Sequence, residues 1–247
     1  LISYVLYTVE TLKVEEPTII ICPTSVLGNW QKELARFAPT LRVHTHYSAN
    51  RLKDEQFEQF IKHERPHIIL STYGTVSQDT EFLQQISWSA VVLDEAQNIK
   101  NMQTLQSRSI RKLKGAHHIA LTGTPVENRL SELWAIFDFM HKGYLGSFGK
   151  FQEQFILPIE KDESEKHKHI LQMKIRPFLL RRTKRDPDLM LNLPDKQETQ
   201  EFCSLTAEQA ELYEGFIEDT LAQLDKLSGF EKKKKKKKML SKLKQLC

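Results

Sequence analysis

The chain has 247 residues, 40% hydrophobic and 28% charged, which reads as globular: one large domain, or a domain with a substantial insertion. No apolar run approaches the length that crosses a bilayer and no signal peptide opens the chain. The three cysteines (Cys22, Cys203, Cys247) lack metal-ligand spacing, so a reduced, cytosolic protein without a membrane partner is expected. The formal net charge of +4 is local in origin, because Lys232 to Lys238 are seven consecutive lysines and removing them leaves −3. A globally basic nucleic-acid binder is therefore not indicated.

In chain order, Leu1, Val5, Leu6, Val9 and Leu12 fall on one face and predict an opening helix. The chain starts on Leu1 inside that pattern, so a cut start is expected. Five short apolar, β-branched runs predict strands: PTIIIC (17–22), LRVHTHY (41–47), PHIILS (66–71), AVVLDE (90–95) and HHIALTG (117–123). Helical patterns lie between them, such as Val26, Leu27, Trp30, Leu34 and Phe37 at spacings of three and four. This alternation predicts an α/β fold, a parallel sheet covered by helices on both faces. Beyond about residue 127 the pattern becomes helical and aromatic, through RLSELWAIFDFM, SFGKFQEQF and EKHKHILQMKIRPFLLRRTK. KQETQEFCSL (196–205) alternates as a strand, and a capping box of Thr206 and Gln209 opens a last helix with Tyr213, Phe216, Ile217, Leu221 and Leu224 on one stripe. The expected organisation is a lobe over 1–127, a helical insertion over 128–195, a returning strand over 196–205 and a helical protrusion over 206–247.

Three clusters carry candidate chemistry at predicted strand ends, where open parallel sheets bind ligands. Asp94 and Glu95 close the fourth strand. In a nucleotide hydrolase the first carboxylate holds a divalent cation through water and the second orients or deprotonates the attacking water. A helix N-terminus attracting acidic residues is the plainer account of such a pair. LTGTPVENRLSELW (121–134) closes the fifth strand with Thr122, Gly123, Thr124 and Pro125, small residues that allow a tight turn beside a ligand or make an ordinary strand-to-helix turn. ICPTSVLGNWQKEL (21–34) places Thr24 and Ser25 at a helix start suited to phosphate, with Ser25 as a plain N-cap the alternative. No phosphate-cradling Gly-Lys-Ser/Thr loop occurs in the chain.

In this order the clusters resemble the SWI/SNF family of helicase-like DNA translocases. PTSVLGNWQKEL is similar to the family's motif Ia, ILSTYGTV to motif Ib, VVLDEAQNIKN to motif II and LTGTPVENRLSELW to motif III. GYLGSFGKFQEQF, IRPFLLRRTKRD, LPDKQE and LTAEQAELY resemble family-specific blocks, so the likeness runs from Leu1 to Cys247. The resemblance implies a RecA-like (P-loop NTPase) sheet with a helical protrusion. It also implies most of a first motor lobe without its phosphate loop, and ATP with Mg²⁺ bound against a second RecA-like lobe. Asp94 is then the Mg²⁺ carboxylate, Glu95 the water-activating base, and Gln97, Thr122, Gly123 and Thr124 the residues coupling nucleotide to DNA. Pro23, Thr24, Ser25, Ser71, Thr72 and Tyr73 match the motifs that track a DNA backbone, with a core role the alternative for Tyr73. Two positions depart from the pattern: Gln97 stands where many members have His, and Glu127 where Gln is common. Arg181 and Arg182 are not matched to the family's arginine fingers, which belong to lobe two. The implied activity is ATP-dependent translocation on double-stranded DNA, with DNA-bound proteins as partners and a nucleoid-associated cytoplasmic or nuclear location. A non-catalytic DNA- or protein-binding module and a strand-separating restriction or repair helicase are the alternatives.

Overall fold

The computed structural model describes residues 1–123, 129–182, 197–201 and 203–224, with the side chains of 219 and 221–224 excepted. The protein divides into two compact units, Leu1–Leu179 and Leu180–Cys247.

In the first unit a short helix α1 (Ile2–Leu6) continues through a π turn to Thr11 and leads into β1 (Thr18–Cys22). There follow α2 (Thr24–Phe37), β2 (Val43–His46), α3 (Asp54–Glu64), β3 (Ile68–Thr72), α4 (Tyr73–Gln78) and α5 (Thr80–Leu83). Next come β4 (Trp88–Asp94), a 3₁₀ turn over Ala96–Ile99, α6 (Leu105–Ile110) and β5 (Gly115–Leu121). All five expected strands form and all pair in parallel, in the order β2-β3-β1-β4-β5.

The composition of each strand matches its place. β1 (TIIIC) and β3 (IILST) are buried throughout and β4 (WSAVVLD) up to its last residue, whereas β2 and β5, at the edges, are only partly covered. The pleat sends Ile19, Ile21, Ile69, Val91 and Leu93 to one face, where Phe57, Val76, Leu83 and Ile110 of α3 to α6 pack. Ile20, Cys22, Leu70, Ala90 and Val92 face the other way, against Val5 of α1 and Leu27 and Leu34 of α2. β4 and β5 begin two residues before the apolar runs suggested, because Trp88 pairs with Gly115 in the ladder. Gly115 is required there: a Cβ would stand 2.9 Å from Val91 Cγ2 and 3.0 Å from the His117 carbonyl oxygen. After β1 the chain turns towards β3 and β2, then crosses to β4 and β5. The loops leaving β1 and β4 therefore run to opposite sides, and the crevice between the carboxyl ends of these two strands is the switch point.

Beyond β5 lie α7 (Leu130–Met140), α8 (Phe148–Phe151), a π turn over Gln152–Ile156, α9 (Leu157–Glu160) and α10 (Glu165–Ile175). They form a core of their own around Leu133, Trp134, Phe137, Phe151, Phe155 and Leu171. α7 serves both bodies, since its Phe139 packs in the sheet's core while Phe137 packs in the helical one. That double duty explains why α7 is apolar nearly all round. Glu160 reaches back to accept the Leu130 N–H at 2.8 Å, capping α7 from 30 residues away.

The expected helix over EKHKHILQMKIRPFLLRRTK stops early. α10 ends at Ile175 and a 3₁₀ turn covers Arg176–Phe178, because Pro177 lacks the N–H that would continue an α-helix. Arg181 and Arg182 are exposed, without helix or strand. In the second unit the expected strand over 196–205 is corrected: residues 197–201 and 203–206 carry no β pairing and 197–201 and 203–205 are exposed. Alternation supplies the period of a strand but not the neighbouring ladder its N–H and C=O groups need. The capping box does form. Thr206 N donates to Gln209 Oε1 at 3.0 Å and Gln209 N to Thr206 Oγ1 at 3.2 Å, opening α11 (Ala207–Leu224). Tyr213, Phe216 and Ile217 are half-buried along it. The lysine run, Thr124 and Glu127 lie outside the described residues.

Candidate functional site

β4 delivers Asp94 to the switch point, and Glu95 then turns into the left-handed region at φ 53°, ψ 55°. That conformation is costly for a residue with a Cβ and persists only where surroundings over-determine it. Several bonds do so here. The Tyr73 hydroxyl donates to the Asp94 carbonyl at 2.7 Å and the Glu95 carbonyl at 3.3 Å. Asn98 Nδ2 and the Asn98 N–H both donate to the Glu95 carbonyl, at 2.8 and 3.0 Å. Tyr73 is 4% exposed, so it is a core residue bracing the acidic turn and not a surface group open to DNA.

Both oxygens of Asp94 are held. Oδ1 accepts the Glu95 N–H at 3.0 Å, and Oδ2 accepts the indole N–H of Trp30, from α2, at 2.8 Å. Glu95 Oε2 accepts from Gln97 Nε2 at 2.7 Å, and Gln97 Oε1 accepts from the Thr122 hydroxyl at 2.9 Å. The structure thus joins Glu95, Gln97 and Thr122 in one relay from the end of β4 to the end of β5. Gly123 follows, exposed. Beneath the turn, burial pushes the Cys22 thiol up to about 12, helped by the Asp94 charge. Burial also raises the Tyr73 phenol, with Asp94, Cys22 and Glu95 adding to it. Both groups stay protonated next to the carboxylates, so the Tyr73 hydroxyl remains a donor.

A cleft of about 730 Å³ opens beside this turn, with Ile2, Leu6, Val26, Trp30, Asp94 and Leu121 on its walls. Its acidic equipment suits Mg²⁺. A carboxylate has about four acceptor positions, so Asp94 keeps some after binding Trp30 and Glu95. No cluster of three or more His, Cys, Asp or Glu ligands occurs among the described residues. Mg²⁺ fits such a sparse donor set because it keeps much of its water and takes one or two carboxylates plus phosphate oxygens.

The candidate DNA-facing residues separate into two groups. Thr24 and Ser25 are exposed in the first turn of α2, whose N-cap is Pro23 and which has neither a side-chain cap nor an acidic first-turn residue. Ser25 is therefore not the N-cap, and the positive end of α2 is not compensated by local side chains. Ser71 and Thr72 turn inward, at 0% and 4% exposure, so their hydroxyls serve the protein's own backbone in this structure and are not presented to solvent. Ser71 Oγ donates to the His46 carbonyl at 2.8 Å, and Thr72 Oγ1 caps α4 by accepting the Thr75 N–H at 3.3 Å. Satisfying the buried end of β3 takes both hydroxyls.

Two further features have no signal in the sequence. Trp30 reads as one more apolar position of α2, and its polar edge has no sequence signal. The second is a buried cluster at the end of β2, where Asp79 accepts from Arg51 and meets His46 Nε2 at 2.8 Å. Burial opposes ionisation of Asp79, yet the bonds from Arg51 and His46 hold its carboxyl below the ordinary value. Burial pushes His46 down despite that carboxylate, and its Nδ1 is buried without a hydrogen-bond partner. A neutral ring donating from Nε2 is the form this environment favours. His117 and His118 sit on β5, with His118 edge-on to Phe139 at 5.0 Å.

Comparison with known proteins places the chain as a whole. A family model described as the SNF2-related domain matches residues 1–247. A Bacillus subtilis (strain 168) protein, YwqA, whose name carries the words ATP-dependent helicase/translocase, is 53% identical over 247 residues, all of this chain and 27% of that protein. Human DNA excision repair protein ERCC-6 is 33% identical over 215 residues, 82% of this chain and 14% of that one. The chain thus spans well under half of these relatives. The Sulfolobus solfataricus SWI2/SNF2 ATPase core in complex with dsDNA superposes with a TM-score of 0.66 at 39% identity, covering 99% of this chain and 50% of that chain.

Proposed function

Since the chain belongs to the SNF2-related domain family, we propose that the protein it forms part of is a DNA-dependent ATPase that translocates on double-stranded DNA and remodels protein–DNA complexes. The fold is that of a RecA-like motor lobe, and a solved relative of the same fold binds dsDNA. The observation that carries the reading is the relay from Glu95 through Gln97 to Thr122, which ties the acidic turn after β4 to the end of β5.

In this reading Asp94 holds Mg²⁺ through water, and the ion supplies charge neutralisation on the phosphates. Glu95 orients the attacking water and accepts its proton, while its bond to Gln97 fixes the carboxylate's direction. A change at the nucleotide then moves Gln97 and Thr122 together, and with Thr122 the Gly123 that follows it, Thr124 being the next residue in the sequence to share the role. The exposed start of α2, with Thr24 and Ser25, meets phosphates of the DNA backbone, since helix-terminal amides and hydroxyls suit phosphate oxygens and carry no base code. A second RecA-like lobe completes the nucleotide site, and the location is nucleoid-associated or nuclear. Phosphate release by the full-length protein, with and without duplex DNA, tests this. Turnover stimulated by duplex DNA supports it, and turnover absent under both conditions refutes it.

A further inference from the structure

Each of the three tryptophans donates its indole N–H to a defined acceptor. Trp88 donates to the Leu83 carbonyl at 3.0 Å and Trp134 to the Gly146 carbonyl at 3.1 Å, bonds internal to the packing of their own regions. Trp30 alone donates to a carboxylate, that of Asp94, across 64 residues of sequence. Its ring is half-buried over the sheet beside Val26 and on the wall of the cleft that Asp94 also lines. A phenyl ring would supply the same apolar cover, so packing does not account for an indole at this position. The N–H is what phenylalanine lacks.

We propose that Trp30 is a positioning residue that fixes the Asp94 carboxylate for Mg²⁺ and ties its orientation to helix α2. The proposal rests on the reading of Asp94 as the metal carboxylate. One bond to a carboxylate leaves the group free to rotate about its Cβ–Cγ bond. Two bonds, on opposite oxygens and from different elements, remove that freedom. The Glu95 N–H holds Oδ1 from within the turn, and Trp30 holds Oδ2 from α2. The remaining acceptor positions then point in a set direction, as outer partners of metal ligands generally ensure. α2 is a continuous helix of 14 residues with the exposed Thr24 and Ser25 in its first turn, and Trp30 stands six positions after Thr24. A displacement of this helix therefore reaches Asp94 through one charge-assisted hydrogen bond.

The test uses the full-length protein in a Glu95→Gln background, so that ATP binding is read without turnover. The Mg²⁺ concentration that half-saturates ATP binding is measured with and without Trp30→Phe. The expected result is an increase of about 10- to 100-fold, the usual effect of removing an outer partner of a metal ligand. Trp30→Phe should add nothing once Asp94→Asn is present. A lower melting temperature with an unchanged Mg²⁺ requirement makes Trp30 merely structural and overturns the proposal. In parallel, ¹⁹F NMR of 5-fluorotryptophan-labelled protein follows the Trp30 signal, assigned as the one lost in Trp30→Phe or, if that variant fails to fold, in Trp30→Tyr. That signal should shift on addition of Mg²⁺ and ATP and again in Asp94→Asn. A signal indifferent to both overturns the proposal. If ATP binding needs no Mg²⁺ even before Trp30 is changed, the reading of Asp94 itself fails, and the role of Trp30 with it.

Discussion

Glu95 combines a catalytic assignment with a backbone conformation that L-residues avoid, and the two are separable by comparing Glu95→Ala with Glu95→Gly. Both variants lose the carboxylate and its bond to Gln97, so those losses cancel between them. What remains is the backbone at φ 53°, ψ 55°. Alanine there carries the left-handed penalty of roughly 1–2 kcal/mol. Glycine escapes it but gives the unfolded chain about 0.4–1 kcal/mol more conformational entropy to lose. The difference leaves Glu95→Gly the more stable variant by about 0.5–1 kcal/mol, the reverse of the usual order in regular structure. Urea unfolding at equal protein concentration reads this as a higher midpoint with an unchanged slope. Equal midpoints, or a more stable alanine variant, would refute the claim that the turn forces Glu95 into the left-handed region. Turnover is a separate readout: both variants should lose about 10²- to 10⁴-fold, the worth of a general base.

The remaining predictions concern pH, DNA and the isolated chain. Burial lowers His44, His46, His67 and His118 below their ordinary value of 6.5, so below that pH the unfolded chain binds protons that the folded chain refuses. Their contribution is complete above 6.5 and is lost as pH falls towards the folded values. The urea midpoint should accordingly drop between about pH 7.5 and about pH 5.5, less steeply in His46→Gln; a constant midpoint contradicts this. Duplex binding read by fluorescence anisotropy should weaken in Thr24→Ala plus Ser25→Ala and persist when Lys232 to Lys238 are neutralised. The hydroxyl contacts release few counterions, so if nearby lysines and arginines neutralise about three phosphates, binding should fall roughly fortyfold between about 50 and about 200 mM salt, and binding lost with the lysine run alone would move the contact to that run. Residues 1–247 alone, which contain no Gly-Lys-Ser/Thr loop, should hydrolyse ATP negligibly; DNA-stimulated turnover at a motor's rate would show that the phosphates are held by other means.

The strands were legible because β1, β3 and β4 are buried on both faces, and burial of that kind leaves uninterrupted β-branched runs. Their pairing order was not, since register and neighbours are settled by contacts that no local window contains. Asp94, Glu95 and Gln97 could be read from their position at a strand end and from the family likeness. Ser71 and Thr72 looked equally suited to phosphate, because composition does not say which way a hydroxyl turns, and here the buried end of β3 claims both. Trp30 was hidden for the opposite reason: an indole on an apolar stripe looks like core, and its acceptor lies 64 residues away. The segment 196–205 shows the remaining limit, since alternation without a ladder neighbour leaves 197–201 and 203–205 exposed and outside any strand.

The most direct measurement of the central claim is ATP binding and DNA-stimulated hydrolysis in the full-length protein carrying Glu95→Gln. The amide preserves the shape of the side chain and its place beside Gln97 but cannot accept a proton from water. Mg²⁺-dependent ATP binding should remain near that of the unaltered protein while turnover falls about 10²- to 10⁴-fold. Hydrolysis at the unaltered rate would contradict the account, and Glu95 would revert to a strained, helix-terminal charge with no part in the chemistry.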